Sequence, residues 1–278
     1  MSLAPIQNPR ALPFRPAPFD AVADRYDETF TESQIGRVQR RAVTEILDAV
    51  FVRGQSILEL NCGTGADALH LAMRGIEVTA CDSSSRMIEI AQRRAMEAGP
   101  GARVKFRVLP NEKIASLLDE NLAPFDGAFS NFAGFNCTES LEGVARQLAQ
   151  LLKPRAPFVL CVFGRFCLWE TVWYLVRGKP AKAFRRMRRG GDWAQLSSGT
   201  PVRVRYPSAR EWARIFDPYF HLLSRRGIGV AVPPTYAESL AKRFPRMLAT
   251  AATADRWLAR CPGIRALADH VALLFERR

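Results

Sequence analysis

The sequence predicts an α/β fold with a doubly wound, mostly parallel, seven-stranded sheet of the Rossmann-like kind. Short apolar segments alternate with segments of helical periodicity between residues 34 and 163. Such alternation is typical of parallel strands joined by right-handed crossovers. A glycine-rich turn directly follows the first apolar segment, which is where sheets of this class bind their ligands. The 278 residues, 48% of them hydrophobic, suffice for one sizeable core.

Each predicted element of the first part has its own sequence signature. Val38, Ala42 and Ile46 repeat at helical spacing, whereas each strand candidate is a short apolar run. The predicted strands are 56–60, 77–81, 104–108, 125–129 and 158–163. The predicted helices are 20–30, 34–51, 66–74, 85–98 and 141–152.

The C-terminal part is less regular. Helices are predicted at 166–176, 180–189, 208–216 and within 235–263, and strands at 220–232 and 271–275. A β-bulge is expected at Gly227 or Gly229. We interpret 1–18 as a flexible leader and 19–163 as a cofactor-binding core. Residues 208–278 complete that core, and 164–207 and 233–266 are insertions, after the fifth strand and before the last, that form a helical cap.

The composition argues against several classes of protein. No apolar run reaches the roughly 18 residues that cross a bilayer, and residues 1–18 lack the apolar centre of a signal peptide. We therefore expect a cytoplasmic protein. The six cysteines form no C-x-x-C pair, and the three histidines lie apart from any cysteine cluster, so no metal site is expected.

The excess of positive over negative charge is confined to the C-terminal part of the chain. Residues 164–278 carry 22 Lys and Arg against 8 Asp and Glu, whereas residues 1–163 carry 18 against 19. This asymmetry favours either an anionic partner for the C-terminal half or a solvated, arginine-rich surface.

The most informative segment follows the first predicted strand. Gly63 and Gly65 allow a sharp turn against which a ligand can lie. Asp82, at the end of the second strand, has a carboxylate that can accept hydrogen bonds from both ribose hydroxyls. The spacing Gly63-x-Gly65-x-x-Ala68 also fits a dinucleotide fingerprint. Glu59 disfavours that alternative, because a carboxylate there would repel a pyrophosphate but suit a cationic ligand.

With these motifs the chain resembles the class I S-adenosylmethionine-dependent methyltransferases, in particular the methyltransferase type 11 group. The resemblance covers roughly residues 20–163. It rests on Glu59-Leu60-Asn61-Cys62-Gly63-Thr64-Gly65, Val78-Thr79-Ala80-Cys81-Asp82, Phe125-Asp126 with Phe129-Ser130-Asn131-Phe132, and Leu148 to Pro154. It implies S-adenosylmethionine as the cofactor and S-adenosylhomocysteine as its product.

The resemblance also implies a set of cofactor-binding residues, from the N-terminal helix to the fourth strand. Two positions depart from the family pattern. Asn61 stands where a glycine is usual, and Asn111 or Glu112 stands where the family often has an acid that meets adenine. The expected cofactor-binding residues are Tyr26, Glu59, Asn61, Gly63, Gly65, Asp82, Ser83, Met87, Asn111, Glu112 and Asn131.

An aromatic segment followed by a basic one marks the predicted cap. Residues 166–176 are rich in aromatic side chains, and residues 177–189 carry seven Lys and Arg without an acid. Such a segment favours a lid over a substrate pocket, with contact to an anionic membrane surface and RNA binding as alternatives. The expected substrate-binding residues are Phe132, Trp169, Trp173 and Tyr174.

The sequence therefore predicts an enzyme that methylates a small or lipid-like acceptor under the cap. The alternatives are an RNA methyltransferase, a non-catalytic cofactor-binding regulatory protein, and a nicotinamide oxidoreductase, which Glu59 disfavours. No catalytic base is assigned. Glu170 and Asp20 are weak candidates, and the three histidines are expected to have structural roles.

Overall fold

A computed structural model describes residues 17–99, 103–196 and 201–278. Nearly all of the predicted leader, residues 1–16, lies outside the described residues. The strands are β1 (Ser56–Leu60), β2 (Glu77–Asp82), β3 (Val104–Val108), β4 (Gly127–Ser130), β5 (Pro157–Phe163), β6 (Asp192–Gln195), β7 (Pro201–Val204), β8 (Phe220–Ile228) and β9 (His270–Arg277).

The main sheet has seven strands in the order β3-β2-β1-β4-β5-β9-β8. The first five strands of this order are parallel, and β9 runs antiparallel to both β5 and β8. The prediction of a doubly wound, mostly parallel, seven-stranded sheet is confirmed. Strand order reverses between β1 and β4, so the carboxyl ends of these two strands flank the expected ligand crevice.

The helices are α1 (Ala23–Tyr26), α2 (Gln34–Val50), α3 (Ala66–Met73), α4 (Ser85–Glu97), α5 (Ser116–Asp119), α6 (Leu141–Leu151), α7 (Leu168–Val176), α8 (Pro180–Ala183), α9 (Ala209–Phe216), α10 (Glu238–Arg243) and α11 (Pro245–Leu258). Serine side chains cap α2, α4 and α9. Ser33 accepts a hydrogen bond from the Gly36 amide, and Ser84 accepts one from the Met87 amide.

Two apolar clusters cover the two faces of the main sheet. One centres on phenylalanines such as Phe158, Phe216 and Phe275, and the other packs α2 and α3 against β1 and β2. Gly127 permits the close approach on the second face, because a Cβ there would lie 2.6 Å from the Phe51 ring. These clusters fix the strand ends on which the site is built.

The structure corrects several element predictions. The bulge in β8 lies between Leu222 and Ser224, not at Gly227 or Gly229. Gly227 pairs within the ladder, whereas Gly229 has φ +74° just after the strand ends. The amides of Gly229 and Ala231 donate to the Asp255 carboxylate instead of to a neighbouring strand. The predicted strand 220–232 is therefore four residues too long.

Two predicted helices are broken into shorter turns, and one hairpin was not predicted. Residues 20–31 form a 3₁₀ turn, α1 and a π turn, and α8 is followed by a separate 3₁₀ turn at Arg185–Met187. Strands β6 and β7 form an antiparallel pair of their own. This hairpin packs its apolar side against Phe19, Cys137 and Phe163.

Candidate cofactor and acceptor site

A cavity of about 510 Å³ lies at the carboxyl ends of β1, β2 and β4. Its volume falls within the range typical of small-molecule sites. The N-terminal segment, with Phe19 and Tyr26, covers one side, and the β6–β7 hairpin, with Ala194 and Val202, covers another. The cavity therefore combines segments that are far apart in the sequence.

The turn after β1 forms the floor of the cofactor side. Asn61, Gly63 and Gly65 all have left-handed backbones, with φ of +58°, +54° and +74°. Asparagine tolerates this region better than most residues. The Asn61 Oδ1 atom accepts hydrogen bonds from Asn111 Nδ2 at 3.0 Å and Ser130 Oγ at 3.1 Å. Asn61 therefore replaces the usual glycine without closing the turn, and its side chain ties β4 to the segment after β3.

Gly65 and Glu59 lie behind the cavity wall and are not among its lining residues. A Cβ at Gly65 would stand 2.8 Å from the Ala91 Cβ atom and 3.2 Å from the Phe106 ring. Gly65 thus permits close packing of the turn on α4 and β3. The side chain of Glu59 is buried among β1 and its neighbours. Burial, and next the charge of Asp67, raises the pKa of the Glu59 carboxyl well above its ordinary value.

Asp82 lies at the end of β2 and lines the cavity with Ser83 and Met87. Its two carboxylate oxygens accept the amides of Gly63 and Ser84, each at 2.9 Å. Burial raises the pKa of Asp82, although these backbone hydrogen bonds oppose the shift. Each oxygen retains a second lone pair for a ligand hydroxyl.

Asn111 and Glu112 follow β3 and both line the cavity. Asn111 is buried and donates to Asn61 and to the Thr138 hydroxyl. Glu112 is exposed, and its Oε1 atom accepts the Glu139 amide at 2.9 Å. The cavity thus has one buried amide and one exposed carboxylate at the position expected to meet adenine.

Carboxylates of the N-terminal segment hold this segment against the turn after β1 and the start of α4. Asp20 Oδ1 accepts the Ser84 hydroxyl at 2.6 Å. Asp27 accepts the Thr64 hydroxyl at 2.7 Å and Arg94 at 2.5 Å. Asp20 is therefore engaged in holding the segment, so the structure gives no support to Asp20 as a catalytic base.

A buried polar chain behind the fourth strand was not predicted. Arg40 on α2 donates to Asp67 Oδ2 at 2.6 Å, and Asn131 Nδ2 donates to the same oxygen at 2.9 Å. The Arg40 guanidinium also lies 4.8 Å from the centre of the Phe132 ring. Asp67 could have been found from the sequence, because it is an acid in the first helical turn after the glycines. Arg40 could not, because it lies on a helix that carries none of the motifs.

The residues present fit S-adenosylmethionine. Asn131 Oδ1, on the cavity wall, and Glu59 Oε2, just behind it, are buried acceptors without a partner in the described part of the chain. An ammonium group is a pure donor that such oxygens would satisfy. The Asp82 carboxylate would supply acceptors for ribose hydroxyls. A nicotinamide dinucleotide would bring a pyrophosphate close to Glu59 and Asp82.

We define the acceptor side of the cavity as Phe132, with φ +50°, together with the lining residues from β5 onward. These later residues include Phe163, Glu170, Arg185, Arg186, Leu196, Val204, Tyr236, Asp269 and His270. Of the four expected substrate-binding residues, only Phe132 belongs to this wall.

The structure places Trp169, Trp173 and Tyr174 one layer behind the wall. Trp169 Nε1 donates to the Val230 carbonyl at 3.1 Å. The rings of Trp173 and Tyr174 lie 5.1 and 6.2 Å from the ring of Tyr236, which does line the cavity. Because α7 turns these rings toward the segment after β8, they support the wall instead of forming it.

Part of the basic run is internal. Arg186, with 5% of its side chain exposed, lies 2.7 Å from Glu170 and 2.6 Å from Asp269. Arg185 Nε donates to the other oxygen of Glu170 at 2.6 Å. Glu170 is thus fully engaged with two guanidinium groups, and the structure gives no support to Glu170 as a catalytic base.

The chain is similar in sequence to known proteins. Residues 57–155 match the family described as Methyltransferase domain. The chain is 34% identical to the demethylmenaquinone methyltransferase of Clavibacter sepedonicus over 148 residues, 53% of this chain and 57% of that protein. It is 30% identical to that of Renibacterium salmoninarum over 202 residues, 70% of this chain and 80% of that protein.

The fold matches as well. The magnesium protoporphyrin IX methyltransferase of Synechocystis PCC 6803, solved with bound SAH, superposes with a TM-score of 0.60 at 16% identity, covering 94% of this chain and 96% of that one. The sheet and site thus define a class I methyltransferase. The chain belongs to the S-adenosylmethionine-dependent methyltransferase family, and S-adenosylmethionine is its cofactor. The match to the Clavibacter sepedonicus protein spans a little over half of that protein's length.

Proposed function

We propose that this protein transfers a methyl group from S-adenosylmethionine to a lipid-like, hydroxylated aromatic acceptor. One observation carries the proposal: a single cavity joins the polar floor at Asp82 and Asn131 to an apolar wall beyond Phe132. The bound cofactor supplies an electrophilic methyl group. The chain's part is to bind both molecules, align them and exclude water, and alignment alone provides much of the acceleration.

The acceptor side suits a flat ring with an apolar substituent. Its wall includes Phe163, Leu196, Val202, Val204 and Pro234. Buried aromatic and aliphatic walls with a few polar groups are typical of small-molecule sites. The two relatives described above are named for action on demethylmenaquinone, a ring with a long apolar chain, which agrees with this wall.

Mass spectrometry of the product tests the proposal. The wild type is incubated with S-adenosylmethionine and a chemically reduced, short-chain demethylmenaquinone analogue, and product with one added methyl group is expected. Asp82→Ala should weaken cofactor binding by about 1.5–3 kcal/mol, the usual cost of losing hydrogen bonds to a charged group. Asp119→Ala, at an exposed carboxylate on α5, is the matched control. Cofactor binding without any product would reject this acceptor class.

We further propose that α7 and the turns after it contact an anionic membrane that holds such an acceptor. No helix in the described ranges is long and apolar enough to span a bilayer. The α7–α8 surface, defined as residues 168–187, exposes large apolar side chains beside basic ones. The exposed apolar residues are Leu168, Val172, Leu175, Val176, Phe184 and Met187, and the exposed basic residues are Arg177, Lys179 and Lys182. Such a combination is typical of interfacial helices on acidic lipids.

A further inference from the structure

Buried polar atoms without a partner gather on the cavity. Among the described residues, eight buried side-chain nitrogen or oxygen atoms lack a hydrogen-bond partner. Four of the eight belong to residues that line this cavity: Gln39 Oε1, Asn131 Oδ1, Tyr236 OH and His270 Nδ1. Because buried polar groups in folded proteins are nearly always satisfied, this clustering points to a polar ligand group. Asn131 lies toward the cofactor, and His270 Nδ1 faces Asp269 Oδ2 at 3.3 Å, which leaves Gln39 Oε1 and Tyr236 OH for the acceptor.

His270 is held in one orientation on the acceptor side. It is the first residue of β9, and its ring stacks on Phe163 with centres 4.6 Å apart. Its ring also meets Phe132 edge-on at 5.7 Å. Nδ1 lies 3.3 Å from Asp269 Oδ2, so the second ring nitrogen, Nε2, is directed away from Asp269.

Asp269 is a permanent anion beside this imidazole. Burial alone would raise the pKa of Asp269, but His270 and Arg186 hold that pKa well below its ordinary value. Arg186 donates to Asp269 Oδ1 at 2.6 Å and to the Asp269 carbonyl at 2.7 Å. A fixed carboxylate next to Nδ1 favours the tautomer with a proton on Nδ1 and a lone pair on Nε2, and it stabilises the imidazolium that forms later.

We propose that His270 is the general base of this enzyme and accepts the hydroxyl proton of a phenol or hydroquinone acceptor. The inference rests on the proposed function. The acceptor O–H bond breaks, and its proton binds to Nε2. The electron pair left on the acceptor forms the new bond to the methyl carbon, at oxygen or at the conjugated ring carbon. In the second case the methylated carbon then releases its hydrogen as a proton and the oxygen regains one, which restores the aromatic ring. The pair of the broken carbon–sulfur bond stays on sulfur. Asp269 is the positioning residue.

Charged and titratable groups face His270 from several elements. The acids are Asp269 and Glu170, and the bases are Arg40, Arg185 and Arg186. Glu170 is paired with Arg185 and Arg186, Asp269 with Arg186, and Arg40 with Asp67. The phenols of Tyr206 and Tyr236 and the thiols of Cys161 and Cys167 are further titratable groups nearby, and burial raises the pKa of each. Only the neutral imidazole of His270 can accept the proton, since an imidazolium has no free lone pair.

The test measures proton transfer and turnover separately. Wild type and His270→Gln are saturated with S-adenosylhomocysteine, and 4-nitrocatechol is added at a pH where the free probe is mostly neutral. The wild type should bind the probe and produce the absorbance of the nitrocatecholate. His270→Gln should bind the probe, by calorimetry, with little of that absorbance. His221→Gln, at an exposed histidine on β8, is the control and should match the wild type.

Turnover gives the second measurement. With the demethylmenaquinol analogue, His270→Gln should lower kcat by about 10²–10⁴-fold, the range typical of general bases, and should lack the acidic limb of the wild-type pH profile. Asp269→Asn should give a smaller loss and retain that limb. Equal probe ionisation in wild type and His270→Gln, or an unchanged acidic limb, would overturn the role of His270. Failure of the wild type to bind any phenol would instead overturn the proposed acceptor class.

Discussion

Asn131 Nδ2 donates a hydrogen bond of 2.9 Å to Asp67 Oδ2, the carboxylate oxygen that also accepts from Arg40. This shared acceptor fixes the Asn131 amide group, so that its Oδ1 atom is left as a buried acceptor on the cavity wall. Three elements thus converge on one carboxylate: α2, the first turn of α3 and the segment after β4. The orientation of a cofactor-side residue depends on an ion pair that does not itself line the cavity.

Removing this carboxylate should therefore affect both folding and cofactor binding. Asp67→Ala leaves the guanidinium of Arg40 largely buried without a partner, which should lower the free energy of unfolding by about 3 kcal/mol. The cofactor should also bind more weakly, because the Asn131 amide is free to rotate. Chemical denaturation and calorimetry measure the two effects. Asp48→Ala breaks a half-exposed pair with Arg74 and should cost less than about 1 kcal/mol. Equal losses in both variants would contradict the coupling.

The raised pKa of Glu59 predicts a pH-dependent contribution to stability. The folded state holds the Glu59 proton more tightly than the unfolded state, so this contribution falls as pH rises above the unfolded pKa. Glu59→Gln, which is neutral at every pH, should gain stability relative to the wild type between about pH 5 and 8. It should lose cofactor affinity, because an ammonium group then meets no carboxylate. Thermal melts across this pH range, with and without cofactor, measure both effects. Melting temperatures that change in parallel with pH in the two proteins would contradict the prediction.

Local signals explain what the sequence predicted well. The glycines after β1 and the acid at the end of β2 lie within one β1–α3–β2 unit. Their spacing alone therefore places Gly63, Asp82 and Ser83 together. The acceptor side has no such unit. Arg186 donates to Asp269, the neighbour of His270, from more than 80 residues away in the sequence. No periodicity in the sequence predicts that contact. The seven basic residues of 177–189 likewise looked uniform, yet Arg186 is buried and Arg185 half-buried, whereas Lys179 and Lys182 are exposed.

This division sharpens the membrane prediction. Lys179→Glu with Lys182→Glu should abolish flotation with acidic vesicles while leaving the melting temperature unchanged, because both side chains are exposed. The wild type should float with acidic but not neutral vesicles, and salt should weaken the effect by screening. Lys105→Glu with Lys113→Glu reverses the same charge on an exposed surface elsewhere and is the control.

Arg185 and Arg186, which are paired with buried acids, should behave differently from the exposed lysines. Neutralising Arg185 and Arg186 leaves Glu170 and Asp269 unpaired and should unfold the protein at lower temperature instead of only reducing flotation. Flotation that is equal on both vesicle types would reject the membrane surface. Salt-dependent retention of RNA on filters, lost in the Lys179→Glu, Lys182→Glu variant, would replace it with a nucleic-acid partner.

The last prediction concerns Trp173, which supports the acceptor wall from behind. Its ring contacts Tyr236 at 5.1 Å and is covered by the Arg177 guanidinium at 3.4 Å. Trp173→Ala should therefore lower the free energy of unfolding by about 2 kcal/mol, less than the cost at a fully buried tryptophan. Because Tyr236 then loses the ring that packs behind it, the KM for the acceptor should rise. Cofactor affinity should stay within about threefold of the wild-type value. Trp257→Ala, at a tryptophan that is 77% exposed, is the matched control and should change neither quantity. Denaturation, calorimetry and steady-state kinetics on the same preparations separate the effects. A stable Trp173→Ala variant with unchanged KM would show that the ring does not support the acceptor wall. A large loss of cofactor affinity would show that the ring supports the cofactor side instead.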